Sequence, residues 1–119
     1  MGEILAARQL RKNRCRVLYR NFRAADGGEV DIVCRDRACQ ELVFVEVKTR
    51  STDDFGRPAA AVNRDKQHLI ARGALAWLRM LDNPDIVFRF DIVEVLVGTE
   101  RARLNVIQNA FSLPAPYRY

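Results

Sequence analysis

Two apolar runs joined by a short polar loop place the strongest constraint on the fold of this chain. In the stretch GGEVDIVCRDRACQELVFVEVKTR, both Val30–Cys34 and Leu42–Val47 are rich in β-branched and aromatic residues. Such runs, bounded by Gly and polar residues, are typical of neighbouring strands in a sheet. Charge nevertheless interrupts both runs, at Asp31, Glu46 and Lys48. The folded chain must therefore place these charges beside its core.

The rest of the chain predicts a mixed α/β fold in the order αβββαββ. Apolar residues at helical spacing predict a first helix over Gly2–Arg14 and a long helix over Asp65–Leu81. Further runs predict strands over Cys15–Phe22, Ile86–Val97 and Arg103–Ile107. Three hairpin strands followed by a crossover helix favour a mixed sheet flanked by helices. The whole chain of 119 residues fits a single domain.

Composition narrows the class of partner and the compartment. The net charge of +5 and the isoelectric point of about 9.6 are consistent with an anionic partner, although a solvated basic surface is an equal alternative. No apolar run reaches the ~20 residues that cross a bilayer, and the N-terminus lacks an apolar signal core. We therefore expect a cytoplasmic protein without a membrane partner. Three cysteines and one histidine do not supply zinc-site spacing, so free thiols are expected.

The charges of the two central runs share one face of the predicted hairpin. Side chains alternate across a strand, so Glu46 and Lys48 point away from Val47. A symmetric pairing about the loop sets apolar face against apolar face and gives these cross-strand pairs: Val33 with Phe44, Asp31 with Glu46, and Glu29 with Lys48. A shift of two residues keeps the same faces together. In either register Asp31, Glu46 and Lys48 gather on one side of the sheet.

Opposed carboxylates are destabilising unless a positive charge lies between them. A hard divalent cation, Mg²⁺ or Mn²⁺, accepts one or two carboxylates and completes its shell with water and phosphate oxygens. Asp31 and Glu46 are thus candidate metal ligands, and Lys48 could stabilise developing charge on a phosphodiester. Glu3, on the inward stripe of the first helix, could reach a water or a second ion. A salt-bridged network on the sheet face is the alternative from spacing alone.

The motifs also resemble known families. The pattern D-x14-E-x-K in GEVDIV and LVFVEVKTR resembles the signature of the PD-(D/E)XK nucleases, whose restriction-endonuclease-like fold is shared with archaeal Holliday-junction resolvases. In order, GEILAARQL, RNFR, GEVDIV, VFVEVKTR, FGRPAAAV, KQ and RFDIVEV resemble the bacterial YraN family over nearly the whole chain. The resemblance implies a restriction-endonuclease-like core with Asp31, Glu46 and Lys48 at the nuclease positions and Glu3 as the first-helix acid.

The resemblance further implies metal-dependent hydrolysis of phosphodiester bonds in DNA, with branched or structured DNA as a candidate substrate. Lys66 and Gln67 match another family position that could touch a phosphate, with an ordinary helix surface as the alternative. Arg50 and Arg57 are further candidate phosphate contacts. Asp91 in RFDIV also matches a family position, with the anchoring of a strand end as the alternative. The oligomeric state is left open, with a homodimer as one candidate. The alternative function is a non-catalytic module that binds nucleic acid or a protein partner and retains the fold.

Overall fold

Alternating apolar side chains build a sheet with a helix packed on either face. The computed structural model describes residues 2–51, 62–98 and 103–119. Within these residues the elements are α1 (Gly2–Lys12), β1 (Cys15–Arg23), β2 (Glu29–Asp36), β3 (Leu42–Ser51), α2 (Arg64–Met80), β4 (Phe88–Val97) and β5 (Arg103–Phe111). The predicted order αβββαββ and the mixed α/β class are therefore confirmed.

The five strands form one mixed sheet in the order β1-β2-β3-β4-β5. All neighbouring strands are antiparallel except β3 and β4, which run parallel. A parallel pair cannot be closed by a tight hairpin, so the chain crosses over through α2 between these strands. β3 continues past Val47 to Ser51 because its pairing with β4 extends to Val97. Its polar end hid this extension from a pattern based on apolar residues.

Strand alternation divides the core between the two faces of the sheet. Ala6, Ala7 and Leu10 of α1 pack on the face that carries Val43 and Val45. On the opposite face, which we call the α2 face, the core of α2 packs with aromatic side chains that include Phe44 and Phe90. Burial of one such large apolar side chain contributes about 1.5–3 kcal/mol. These layers fix the sheet between the helices and so position the strand ends where the charged residues lie.

A close contact sets the distance between α2 and the sheet, and a cap sets the residue at which the helix begins. A Cβ atom at Gly73 would lie 2.8 Å from the backbone nitrogen of Glu29, so only glycine permits this approach of α2 to β2. Asn63 caps the helix, because its side-chain oxygen accepts a hydrogen bond of 2.9 Å from the backbone nitrogen of Lys66. The contact at Gly73 therefore holds the middle of α2 against the start of β2, and Asn63 marks the start of the helix. No helix among the described residues is long and apolar enough to cross a membrane.

Candidate metal and nucleic-acid site

The strands β2 and β3 separate where the charged residues begin. Val33 pairs with Phe44, as the symmetric register predicts, and the ladder ends at Ile32 and Val45. Beyond this point an Oδ atom of Asp31 accepts a hydrogen bond of 2.8 Å from the backbone nitrogen of Val47. The Asp31 side chain therefore supplies an acceptor where the backbone ladder has ended. This contact holds the Asp31 carboxylate next to β3.

Glu46 is a buried acid beside Asp31. It is only 6 % exposed although it lies in a strand of otherwise apolar residues. Burial, followed by the negative charge of Asp31, raises the pKa of Glu46 from 4.5 to about 7. Two carboxylates that repel in this way are expected to attract a cation. The sequence-based expectation that Asp31 and Glu46 come together agrees with this geometry.

Lys66 already supplies one positive charge to these acids. Its Nζ atom lies 3.5 Å from Oε1 of Glu46 and 2.6 Å from Oε1 of Glu29. Burial alone would lower the pKa of Lys66, but the hydrogen bond to Glu29 and the charge of Glu46 raise it. The hydrogen bond from Lys66 in turn lowers the pKa of Glu29, which also pairs with Arg23. Lys66 thus belongs to the acidic site itself.

The sequence did not place Glu29 correctly. The symmetric hairpin sets Glu29 across from Lys48, whereas the ladder between β2 and β3 ends earlier. Glu29 instead lies opposite Arg23 on β1 and binds Lys66 of α2. The reason is the close approach of α2 to β2, a tertiary contact that strand alternation cannot predict. Gly73, with no side chain in an apolar helix face, was the available signal.

Lys48 and Arg50 continue the same face of β3 beyond Glu46, because side chains alternate along a strand. Lys48 is partly buried and lies in register with Glu94 of β4. Its ammonium makes no hydrogen bond or ion pair to any residue that the structure describes. Arg50 donates a hydrogen bond of 2.9 Å to Glu94, which also accepts one of 3.1 Å from Asn105. Lys48 is therefore the basic group of this strand that is available to a ligand.

Glu94 was not among the site residues predicted from the sequence. Its side chain is almost completely buried, and its exposed fraction is only 2 %. The signal was an acid within the apolar run FDIVEVLV, which a buried strand tolerates only with a partner. Arg50 is that partner, so the structure places Arg50 in an internal ion pair and leaves its predicted phosphate contact as a prediction.

Glu3 lies on the other side of the sheet from Glu46. It lines a cavity of about 720 Å³ together with these residues: Gly2, Ile4, Arg20, Asn21, Val47 and Thr49. Val47 and Thr49 alternate with Glu46 and Lys48 and so point away from them. The structure therefore does not bring Glu3 together with Asp31 and Glu46, and its predicted role at a water or a second ion stays a prediction.

Two of the remaining candidates make hydrogen bonds within the fold, and the phosphate contact predicted for Gln67 stays a prediction. The side-chain amide of Gln67 donates a hydrogen bond of 3.0 Å to the backbone oxygen of Val62. Asp91 accepts hydrogen bonds of 3.0 Å from Arg89 and 2.9 Å from the backbone nitrogen of Asn109, and it is 2 % exposed. It anchors β4 to β5, which was the alternative for this residue. Arg57 lies outside the described residues.

Asp31 and Glu46 are the residues that would hold a hard cation. Among residues 2–51, 62–98 and 103–119, no group of three or more His, Cys, Asp or Glu side chains is arranged to hold a metal ion. Asp31 and Glu46 nevertheless provide adjacent carboxylates, which is what Mg²⁺ takes when water and phosphate oxygens fill its other positions. The burial of Glu46 beside the Asp31 carboxylate, which is held against β3 by the backbone nitrogen of Val47, supports this fit. A zinc site, which needs nitrogen or sulfur ligands, is not formed by this pair.

The fold and the comparisons identify the class and then the family. The element order αβββαββ and the mixed five-stranded sheet, with an acid on β2 and E-x-K on β3, are consistent with the restriction-endonuclease-like class. The chain belongs to the family described as "Uncharacterised protein family UPF0102", whose sequence model matches residues 2–95. This confirms the resemblance to the YraN family.

Relatives match over most of their own length. The chain is 47% identical over 113 residues to a UPF0102 protein of Geobacter sulfurreducens, covering 94% of this chain and 86% of the relative. It is 47% identical over 116 residues to a UPF0102 protein of Trichlorobacter lovleyi, covering 95% of this chain and 88% of the relative. A third relative, of Chlorobaculum tepidum, is 44% identical over 95 residues, which cover 80% of this chain and 71% of the relative.

Proposed function

We propose that this chain is a divalent-metal-dependent nuclease that hydrolyses phosphodiester bonds in DNA. The observation that carries the proposal is the meeting of the Asp31 and Glu46 carboxylates at the point where β2 and β3 separate. Lys48 follows on the same strand and has no partner among the described residues. Adjacent acids that can hold a divalent cation, and an available ammonium, can stabilise the charge that develops in phosphodiester hydrolysis.

The proposed role of each residue follows from its position and its contacts. Asp31 is oriented by the backbone nitrogen of Val47, and Glu46 by burial and by Lys66. These acids would hold Mg²⁺ or Mn²⁺, which when bound would polarise the phosphodiester for attack by water at phosphorus and stabilise the leaving oxygen as its bond to phosphorus breaks. Lys48 would donate to a non-bridging phosphate oxygen and orient the scissile phosphate. Lys66, held by Glu29, would remain beside Glu46 and balance the charge of the site.

A cleavage assay tests this proposal. The wild type should cut at least one of a panel of branched, flapped and single-stranded DNAs in the presence of Mg²⁺ or Mn²⁺. Asp31→Asn and Lys48→Ala should each lower the rate by on the order of 10²-fold or more. Asp85→Asn, a change of an exposed acid outside the site, should leave it unchanged. Cleavage that persists in Asp31→Asn would exclude the proposed site.

A non-catalytic nucleic-acid-binding module is the second candidate. One observation favours it: Lys66 already pairs with Glu46 and Glu29, so the fold can hold these acids without a metal. In that case the protein would bind DNA equally well in EDTA and in Mg²⁺, and no substrate of the panel would be cut. Metal-dependent cleavage by the wild type that Asp31→Asn abolishes would reject this candidate.

A further inference from the structure

Exposed arginines cluster at the end of β1 and β2 that is far from Asp31. We call this group the arginine surface, and its members are Arg14, Arg16, Arg35 and Arg37. Arg16 and Arg35 lie directly opposite each other in the ladder between β1 and β2. The backbone nitrogen of Arg37 donates a hydrogen bond of 3.0 Å to the backbone oxygen of Arg14. The strands thus hold these basic side chains close together.

The acids at this end of the sheet are already paired with another residue. Arg89 is 11 % exposed, and its guanidinium lies 3.1 Å from Asp36, 3.0 Å from Glu41 and 3.0 Å from Asp91. Within the described part of the chain, no member of the arginine surface is in an ion pair. Arg89 therefore takes up the local negative charge and leaves the surface arginines without carboxylate partners.

Like charges directly opposite each other on neighbouring strands destabilise a sheet. Arg16 and Arg35 form such a pair, and both are exposed. A polyanion that lies between them would relieve the repulsion, and a planar guanidinium suits bidentate contacts to phosphate oxygens. Tyr19, on the same strand as Arg16, is 49% exposed and offers a ring on which a base could stack.

The arginine surface also has a defined relation to the candidate site. Arg35 lies opposite Leu42, which packs in the core of the α2 face, so Arg35 is on the same face of the sheet as Glu46. Along β2, Arg35 is separated from Asp31 by roughly 14 Å at the rise of an extended strand. That distance corresponds to about 4 base-pair steps of a duplex. One arm of a structured nucleic acid could therefore reach this surface while another part occupies the site.

We infer that the arginine surface binds the phosphate backbone of nucleic acid without reading its sequence. This inference rests on the proposed function in taking nucleic acid as the ligand, but it concerns binding and not hydrolysis. The contacts are with phosphates, so affinity should depend strongly on salt and little on sequence.

The test compares two double variants that remove the same charge. Binding of a fluorescently labelled DNA duplex of roughly 20 base pairs, long enough to span the site and the arginine surface, is measured by anisotropy in EDTA over a salt series. Arg16→Gln/Arg35→Gln should lower the affinity about 10-fold or more at low salt and reduce the slope of log K against log salt by about 2. Arg103→Gln/Arg118→Gln, which changes exposed arginines elsewhere, should do neither.

Several results would overturn the inference. Equal losses in both double variants would mean that only net charge matters, and unchanged binding in Arg16→Gln/Arg35→Gln would mean that the surface is not used. Arginine on an edge strand could instead prevent pairing with a second copy, and self-association of this variant in sedimentation, with intact DNA binding, would indicate that role. Because EDTA prevents metal-dependent cleavage, a failure of the nuclease proposal leaves this test valid. Unfolding in urea should show that the variant folds and is at least as stable as the wild type, since opposed charges are removed.

Discussion

The charge on Glu46 should make the metal-free protein less stable as the pH rises. Its carboxyl has a pKa raised from 4.5 to about 7, first by burial and then by Asp31. An acid with a raised pKa binds its proton more tightly in the folded state. The contribution of Glu46 to the free energy of unfolding is therefore fully present below about pH 4.5 and is lost as the pH rises through 7. Each pKa unit is worth about 1.4 kcal/mol, so the ionised Glu46 costs about 3 kcal/mol above pH 7.

Glu46→Gln isolates this cost. The amide can donate a hydrogen bond to Asp31, as the protonated acid does, but it carries no charge at any pH. The free energy of unfolding of the variant relative to wild type should therefore increase by about 3 kcal/mol between pH 4.5 and pH 8. The measurement is urea unfolding in EDTA over this pH range.

A matched control separates Glu46 from general charge effects. Asp85→Asn removes an exposed acid outside the site, so its stability should follow that of the wild type across the same pH range. If the curves of Glu46→Gln and wild type are parallel from pH 4.5 to pH 8, Glu46 does not carry a buried, repelled charge. A cation between Asp31 and Glu46 would then have no repulsion to relieve.

Three further substitutions, the first with a matched control, test contacts within the site and elsewhere in the fold. Lys66→Gln should lower the free energy of unfolding at pH 8, because Glu46 loses its nearby ammonium, whereas Arg64→Gln on the same helix turn should have little effect; urea unfolding compares the two. Gly73→Ala should destabilise the protein by about 1–3 kcal/mol because the added methyl overlaps β2, and a stability equal to wild type would contradict the close approach of α2. Arg89→Met should cost about 3–5 kcal/mol by leaving buried acid unpaired, and thermal unfolding at neutral pH would detect it.

The sequence predicted the order of elements because hydrophobic periodicity and strand alternation are local. The runs around Val30–Cys34 and Leu42–Val47 gave adjacent strands, and the pairing of Val33 with Phe44 followed from the need to match apolar faces. The same alternation predicted that Glu46 and Lys48 share a face. These features depend on neighbouring residues along the chain.

Other features of the site depend on tertiary packing. Lys66 reaches Glu29 and Glu46 because Gly73 lets α2 approach β2. The glycine signals a close approach, but it does not say which residues that approach brings together. The hydrogen bond from Val47 to Asp31 forms only because the ladder ends early. Predicting the first contact needs the position of the helix on the sheet, and predicting the second needs the point at which β2 and β3 separate. The spacing of apolar residues contains neither.

Calorimetric titration with Mn²⁺ at pH 7 tests the central claim most directly. Wild type and Asp85→Asn should bind the ion with the same affinity, and experiments in buffers of different ionisation enthalpy should reveal proton release, because binding ionises Glu46, whose pKa is raised to about 7. Asp31→Asn should weaken binding by on the order of 10-fold or more, since one of the paired carboxylates is lost. Equal affinity in Asp31→Asn and wild type would contradict a metal site at Asp31 and Glu46.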